Sequence, residues 1–182
     1  ATLRALCCPS CNYFILGGNS DTLCDEFIRG AEEAGHKAEK VFLCDHKIHY
    51  CTGGGACQSS HECILKDDMA DVLDRMVRAD FIVMATPVYF YTMNAQIKTL
   101  IDRTVPRYTE ISGKDFYFIA TAADTDRRML ERTIEGFRAF TDDCLTDPHE
   151  KGVIYAAGVW QKDDIKGHPV MKQAYEMGET IG

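Results

Sequence analysis

Three aromatic residues stand together at the end of an apolar run in segment 86–94, which reads TPVYFYTMN. Aromatic side chains clustered in this way are costly when they face water, so something is expected to cover them. A flat heteroaromatic ligand stacked on the rings would cover them, and a second copy of the chain would do so equally well. The segment is therefore a candidate binding surface, and the sequence leaves open whether a ligand or a second copy of the chain covers it.

Segment 17–22 reads GGNSDT and has the composition of a phosphate-binding turn. Glycines allow the backbone to approach a ligand closely, and hydroxyls and free amides at a helix start suit a phosphate. A plain glycine turn followed by a helix cap has the same composition. Segment 121–124, TAAD, combines small side chains with free amides after another apolar run, and it is either a ligand contact or an ordinary connection.

The elements that must position these segments alternate between short apolar runs and amphipathic stretches. The predicted strands are 37–43, 81–86, 116–122 and 153–157, with a first strand at either 3–8 or 13–16. The predicted helices are 21–34, 66–78, 95–105, 129–140 and 169–177. Ser20 is the expected N-cap of the first helix, and Gly35 is its expected stop.

Continuous apolar strands separated by helices indicate a parallel sheet that is covered on both faces. Five strands and five helices fit a three-layer flavodoxin-like α/β fold with the strand order 2-1-3-4-5. In such sheets ligands bind beyond the carboxyl ends of the strands, so the three segments are expected at one edge. For the first strand 3–8 is preferred, because Pro9 and Ser10 then lie just past its end.

The composition excludes several classes of protein. The 182 residues suit one domain over 1–182, and the net charge of −8 argues against nucleic acid or an acidic membrane surface as a partner. No apolar run is long enough to span a bilayer, and the first eight residues are too short for a signal peptide. The nine cysteines are odd in number and scattered, which favours reduced thiols in a cytoplasmic protein.

The chain resembles the NADPH-dependent FMN reductase and iron–sulfur flavoprotein group of the flavodoxin-like superfamily over nearly its whole length. The motifs that carry the resemblance are GNSDT at 18–22, CILKDDM at 63–69, PVYF at 87–90, QIK at 96–98, IDR at 101–103, GVWQK at 158–162 and DIKGHP at 164–169. No single motif is decisive, but their order and spacing together are specific.

The resemblance implies a bound FMN, with NAD(P)H as a transient co-substrate and the redox chemistry on the flavin. It implies a small acceptor (a quinone, azo or nitro compound) or a redox partner, and a homodimer or higher homo-oligomer. The implied cofactor contacts are Ser10, Asn19, Ser20 and Thr22 toward the phosphate, Pro87, Val88, Tyr89, Phe90 and Asn94 toward the ring, and Thr121 and Ala122 on the other side.

The first loop departs from the family pattern, because the arginine that family members carry near the phosphate is missing. The phosphate site must then rely on amides and hydroxyls, and a cofactor-free member of the fold is an alternative. Cys8 and Cys11 in this loop form a C-x-x-C pair that is either a redox dithiol or two ordinary loop thiols.

The cysteine segment, residues 51–63, also departs from the family pattern. Cys51, Gly54, Cys57 and Cys63 occupy the positions at which iron–sulfur members carry four cysteines, so a glycine replaces the second ligand. A fourth ligand to a cluster would have to be Cys44, a histidine or an outside group, and zinc at the same residues is a similar option. The expectation is a flavin-only protein without a metal, with an electron-transfer iron–sulfur flavoprotein as the alternative.

Four further residues carry structural expectations. Cys24 and Cys144 are expected inside helices as small apolar side chains. Asp67 and Asp68 are expected to open a helix, where carboxylates favour the macrodipole, with no catalytic role.

Overall fold

The computed structural model describes residues 1–7 and 17–182. Its strands are β1 (Thr2–Cys7), β2 (Lys37–Phe42), β3 (Phe81–Tyr89), β4 (Thr92–Met93), β5 (Asp115–Ala122) and β6 (His149–Ala157). Its helices are α1 (Asn19–Glu33), α2 (Cys57–Ser60), α3 (Met69–Arg78), α4 (Ala95–Asp102), α5 (Arg128–Cys144) and α6 (Pro169–Glu179). No helix among these is long and apolar enough to cross a membrane.

Five strands form a parallel sheet in the order β2-β1-β3-β5-β6, and the short β4 pairs antiparallel with the end of β3. Without β4, this is the predicted order 2-1-3-4-5, and the flavodoxin-like fold class is confirmed. The first strand is Thr2–Cys7, as preferred from the sequence; the alternative at 13–16 lies outside the described residues.

Apolar side chains pack on both faces of the sheet. One buried cluster joins the sheet to α3, α4 and α5, and includes Met76, Leu100 and Phe137. The other joins it to α1 and α6, and includes Phe27 and Ala174. Central strands that bury both faces read as continuous apolar runs, which is why β3 and β5 were predictable.

Some element boundaries differ from the predicted ones. Helix α1 begins at Asn19 with the extended Gly18 as its N-cap, so the prediction that Ser20 caps it is wrong. Helix α3 begins at Met69 rather than at 66, and α4 ends at Asp102 rather than at 105. Strand β3 continues through Pro87, because the residues after it form a hairpin with β4.

Helices α1 and α6 are in backbone contact. A Cβ at Gly30 of α1 would collide with the carbonyl oxygen of Tyr175 and lie 2.9 Å from the backbone nitrogen of Glu179. A Cβ at Gly178 of α6 would likewise collide with the carbonyl oxygen of Phe27. Only glycine at these two positions lets the helices approach so closely.

The cysteines differ most from expectation. Cys7 at the end of β1 and Cys24 in α1 are buried and joined in a disulfide, and Cys44 is disulfide-bonded as well. The prediction of reduced thiols is therefore wrong for these three, although Cys24 does pack in the core. Cys144 ends α5 and is exposed rather than packed. Cys8 and Cys11 lie outside the described residues.

Candidate functional site

The start of α1 and the end of β5 meet at the carboxyl edge of the sheet, as predicted. The hydroxyls of Ser20 and Thr121 are buried and lie 2.7 Å apart in a mutual hydrogen bond. Thr121 is in register with Pro87 on the neighbouring β3. The segments 17–22, 86–94 and 121–124 are therefore brought to one edge.

Asn19 ties the start of α1 to the segment that follows β6. Its side-chain Nδ2 donates to the carbonyl oxygen of Gln161 at 3.0 Å, and its Oδ1 accepts from the backbone N–H of Ile165 at 3.2 Å. Both ends of the amide are thus engaged within the protein. The sequence predicted Asn19 as a phosphate contact, and it did not predict this link to segment 158–168.

Segment 158–168 is ordered by its own hydrogen bonds. The Asp164 carboxylate accepts from the backbone N–H groups of Trp160 at 2.9 Å and Gln161 at 2.6 Å. The N–H of Val159 donates to the Ala122 carbonyl at 2.8 Å, which joins the segment to the end of β5. This segment borders the site, and the types of its residues did not predict that. Only its motifs in the family resemblance indicated a role.

The β3–β4 hairpin carries the aromatic residues. Phe90 and Tyr91 form its two-residue turn with φ angles of 50° and 63°. Turns with two positive φ angles normally use Asn-Gly, because side chains are strained in this region. Phe90 is fully exposed, and Tyr89 and Tyr91 are about half exposed. Strain combined with exposed rings indicates that these side chains serve a contact rather than the fold.

Replacing both turn residues, Phe90→Asn with Tyr91→Gly, should stabilise the protein by about 1 kcal/mol, because the strain is relieved and little packing is lost. Urea unfolding followed by circular dichroism measures this change. Trp160→Gln is the control, since Trp160 is a largely exposed aromatic without a positive φ angle, and it should leave stability unchanged. A clear loss of stability in the double variant would show that the rings pack.

Asn94 lies directly after the hairpin and has one unpaired hydrogen-bond donor. Its Oδ1 accepts from the N–H of Ile97 at 3.2 Å and caps α4, and its own N–H donates to the Thr86 hydroxyl at 3.1 Å. Its side-chain Nδ2 is buried and has no hydrogen-bond partner within residues 1–7 and 17–182. An unpaired buried donor costs about 1–3 kcal/mol, so it marks a place where a ligand acceptor would be favourable.

The remaining predicted contacts are placed as follows. Thr22 lies half-buried in the first turn of α1, and Val88 is half-buried beside the hairpin. Ala122 ends β5 with its carbonyl engaged by Val159. Ser10 lies outside the described residues.

A buried ion pair lies beside the cysteine segment. The Arg103 guanidinium donates to both oxygens of Asp67 at 2.8 and 2.9 Å, and to the carbonyl of His49 at 2.5 Å. Burial would raise the pKa of Asp67, but hydrogen bonds from Arg103 and from the N–H groups of His49 and Met69 outweigh it and lower the pKa to about 2. Asp68 is the N-cap of α3, and the carboxylate of Asp67 before it accepts from the N–H of Met69 at 3.2 Å, so the pair opens the helix as predicted.

Cys51, Cys57 and Cys63 line one small cavity together with Gly54. Within the described residues, however, no three histidine, cysteine or acidic side chains come close enough to hold a metal ion. Cys44, one of the three suggested sources of a fourth ligand beside a histidine and an outside group, is in a disulfide. The donor set does not fit a four-iron cluster, which needs four thiolates in its usual form.

The sheet order and the strand-end site define a flavodoxin-like α/β protein. Residues 15–137 match the family described as NADPH-dependent FMN reductase, and since this span is more than half of the chain, the chain belongs to that family.

Curated relatives carry two kinds of name. An iron-sulfur flavoprotein of Archaeoglobus fulgidus is 42% identical over 90 residues, which is 49% of this chain and 40% of that protein. YwqN of Bacillus subtilis, a putative NAD(P)H-dependent FMN-containing oxidoreductase, is 26% identical over 87% of this chain and 88% of that protein. The matched part of this chain spans less than half the length of each of three iron-sulfur flavoproteins, at 40%, 47% and 46%.

Solved structures share the fold. The azoreductase AzrA superposes with a TM-score of 0.74 at 14% identity, with full coverage of both chains. An NAD(P)H:quinone oxidoreductase from Methanothermobacter marburgensis superposes with a TM-score of 0.66 at 18% identity, over 98% of this chain and 95% of that one. At these identities the likeness concerns the fold alone.

Proposed function

We propose that this chain is an FMN-dependent NAD(P)H oxidoreductase that reduces a small acceptor. The observation that supports it most is the carboxyl edge of the sheet, where a strained hairpin of exposed aromatics and the glycine-preceded start of α1 lie at the same edge. Membership of the NADPH-dependent FMN reductase family supports the proposal. A flavin held at this edge would supply the redox chemistry between NAD(P)H and the acceptor.

The residues at this edge fit the parts of FMN. The backbone amides at the start of α1, with the hydroxyls of Ser20 and Thr22, suit a phosphate. The polar edge of the ring suits the backbone of residues 87–90 and the unpaired Nδ2 of Asn94. The faces of the ring suit the exposed aromatic side chains. Thr121 and Ala122 close the other side, and the contact of Ser10 stays a prediction.

The chain's own groups exclude water and orient the cofactor rather than transfer protons. Within the described residues, no ionised side chain lies among the proposed ring contacts, which are 87–90, Asn94, Thr121 and Ala122. The residues at this edge would hold, tune and shield the flavin.

The acceptor proposed is a quinone, azo or nitro compound. Solved structures with the same fold are named azoreductase, quinone oxidoreductase and flavone reductase, which supports a planar aromatic acceptor. We further propose a homodimer, since Tyr89, Phe90 and Tyr91 place three exposed aromatic rings on one hairpin. We propose no iron–sulfur cluster, because Gly54 and the disulfide at Cys44 remove ligands.

Flavin binding tests the function. FMN added to the purified protein should bind at micromolar or lower concentration, with quenched flavin fluorescence, and NADPH should bleach the bound flavin under anaerobic conditions. Phe90→Ala should weaken FMN binding about tenfold, because a ring contact is lost. Tyr50→Ala, which removes another exposed ring, is the matched control and should change nothing. Absence of FMN binding by the unaltered protein would refute the function.

A further inference from the structure

We propose that Cys63 is a covalent modification site, at which its thiol exchanges with a low-molecular-weight disulfide and the cavity beside it holds the attached group. The exchange breaks the S–S bond of the reagent and joins one of its sulfurs to Cys63. The other half leaves as a thiol that carries away the proton of Cys63, so no further oxidant is needed. The inference goes beyond the proposed function and does not depend on it.

A cavity of about 580 Å³ lies between the cysteine segment, helix α3 and the residues that follow α4. Its lining includes Cys63, Ala70, Arg103 and Pro106. Pockets that hold small organic molecules have volumes of roughly 300–1,000 Å³, so a group of the size of a short peptide fits here. The lining shares no residue with the three segments at the carboxyl edge of the sheet, so this cavity is distinct from the proposed flavin site.

Arg103 supplies the observation that points to a ligand. Its side chain is buried, and its two Nη atoms donate to Asp67 and to the carbonyl of His49. Its Nε–H has no hydrogen-bond partner in the part of the chain that the structure describes. An unpaired buried donor is costly, so an acceptor placed in the cavity beside it would be favourable. Because Asp67 already neutralises the guanidinium, a neutral acceptor such as an amide carbonyl suits this position.

Cys63 is half-buried, is not in a disulfide and lies beside this guanidinium. Hydrogen bonds to Asp67 raise the pKa of Arg103 against the opposing effect of burial, and the charge of Asp67 and an interaction with Cys63 add to the rise. The Cys63 sulfur is therefore within reach of a group that stays a cation. A thiolate is the form that attacks a disulfide, and a neighbouring guanidinium stabilises that form. Since Gly54 removes a ligand from a four-thiolate cluster, the thiol is left for such chemistry.

The experiment uses oxidised glutathione, a peptide disulfide whose amide carbonyls are acceptors, as the probe on the full chain. Mass spectrometry of the peptides from samples quenched at successive times gives the rate of mixed-disulfide formation at each cysteine. Cys63 should react about tenfold faster than Cys144, because a guanidinium lies beside its sulfur. Cys144 is the internal control, since it is the more exposed thiol and its sulfur interacts with the Ala139 carbonyl at 3.4 Å.

A variant tests whether the cavity holds the attached group. Ala70 is an exposed residue of α3 that lines the cavity, so Ala70→Trp narrows it. This change should slow the reaction of Cys63 with oxidised glutathione about tenfold, because the bulky group is excluded. The reaction with methyl methanethiosulfonate, which attaches only a methylthio group, should keep its rate. Ala139→Trp places the same side chain at an exposed position of α5 outside the cavity lining, and it should leave both rates at Cys63 unchanged.

Three outcomes would overturn the assignment. A reaction at Cys63 no faster than that at Cys144 would show that the thiol is not favoured. Equal rates of Ala70→Trp and the unaltered protein with oxidised glutathione, or equal slowing with both reagents, would show that the cavity does not receive the attached group. Replacement of the mixed disulfide by a bond from Cys63 to Cys51 or Cys57 would show that the cysteine segment closes on itself instead. None of these results involves FMN, so the proposed function is judged separately by flavin binding.

Discussion

Arg103→Met should lower the free energy of unfolding by about 3–5 kcal/mol, because it leaves the Asp67 carboxylate buried without its partner. Both side chains are at most 5% exposed, so water cannot replace the lost contact. Urea denaturation at pH 7 measures the change. Lys98→Met in α4, the helix that Arg103 caps, breaks an exposed pair with Asp102 and should cost less than about 0.5 kcal/mol.

The pH dependence identifies the cause. In the unaltered protein the pKa of Asp67 is lowered to about 2. The contribution of this carboxylate to the free energy of unfolding is therefore present above pH 4 and is lost as the pH falls toward 2. In Arg103→Met, burial without a partner should raise the pKa of Asp67, so acid relieves the buried charge. The difference in stability between the two proteins should shrink from pH 7 to pH 3. A difference independent of pH would mean that lost packing, not charge, is responsible.

Gly30→Ala should lower the free energy of unfolding by about 3 kcal/mol, although alanine in a helix is by itself about 1 kcal/mol better than glycine. The new Cβ would collide with the backbone of α6 at Tyr175, and a backbone cannot rotate away as a side chain can. Thermal unfolding followed by circular dichroism measures the loss.

Gly136→Ala in α5 is the matched control for this change. Its Cβ would lie 2.8 Å from the Cε atom of Met93, which is the end of a flexible side chain. We expect unchanged or slightly higher stability in this variant. Equal changes in the free energy of unfolding for Gly30→Ala and Gly136→Ala would contradict the backbone contact between α1 and α6.

The sheet was predictable because its strands are apolar without interruption. β3 and β5 bury both faces, so their sequences carry a strong local signal, and the strand order followed from alternation with helices. The stop of α1 was predictable from Gly35, whose φ of 87° suits glycine. Helix starts were less predictable, since Gly18 caps α1 without a side-chain hydrogen bond that a sequence pattern could reveal.

The site was predictable only in part. Segment 86–94 was found because three adjacent aromatics at a strand end are conspicuous in any sequence. The Arg103–Asp67 pair spans 36 residues and the Asn19–Gln161 bond spans 142, and such distant contacts leave no periodic pattern. The Cys7–Cys24 disulfide was missed because cysteine spacing does not specify pairing.

The link between Asn19 and segment 158–168 has a consequence for how the protein is made. The start of α1 leaves the ribosome early in synthesis. The carbonyl of Gln161 and the N–H of Ile165, which bind Asn19, are synthesised more than 140 residues later. A nascent chain that ends before Gln161 lacks both hydrogen bonds that hold the Asn19 side chain in the complete protein. Under the proposed function, the complete flavin edge would form only in chains whose synthesis has passed Ile165.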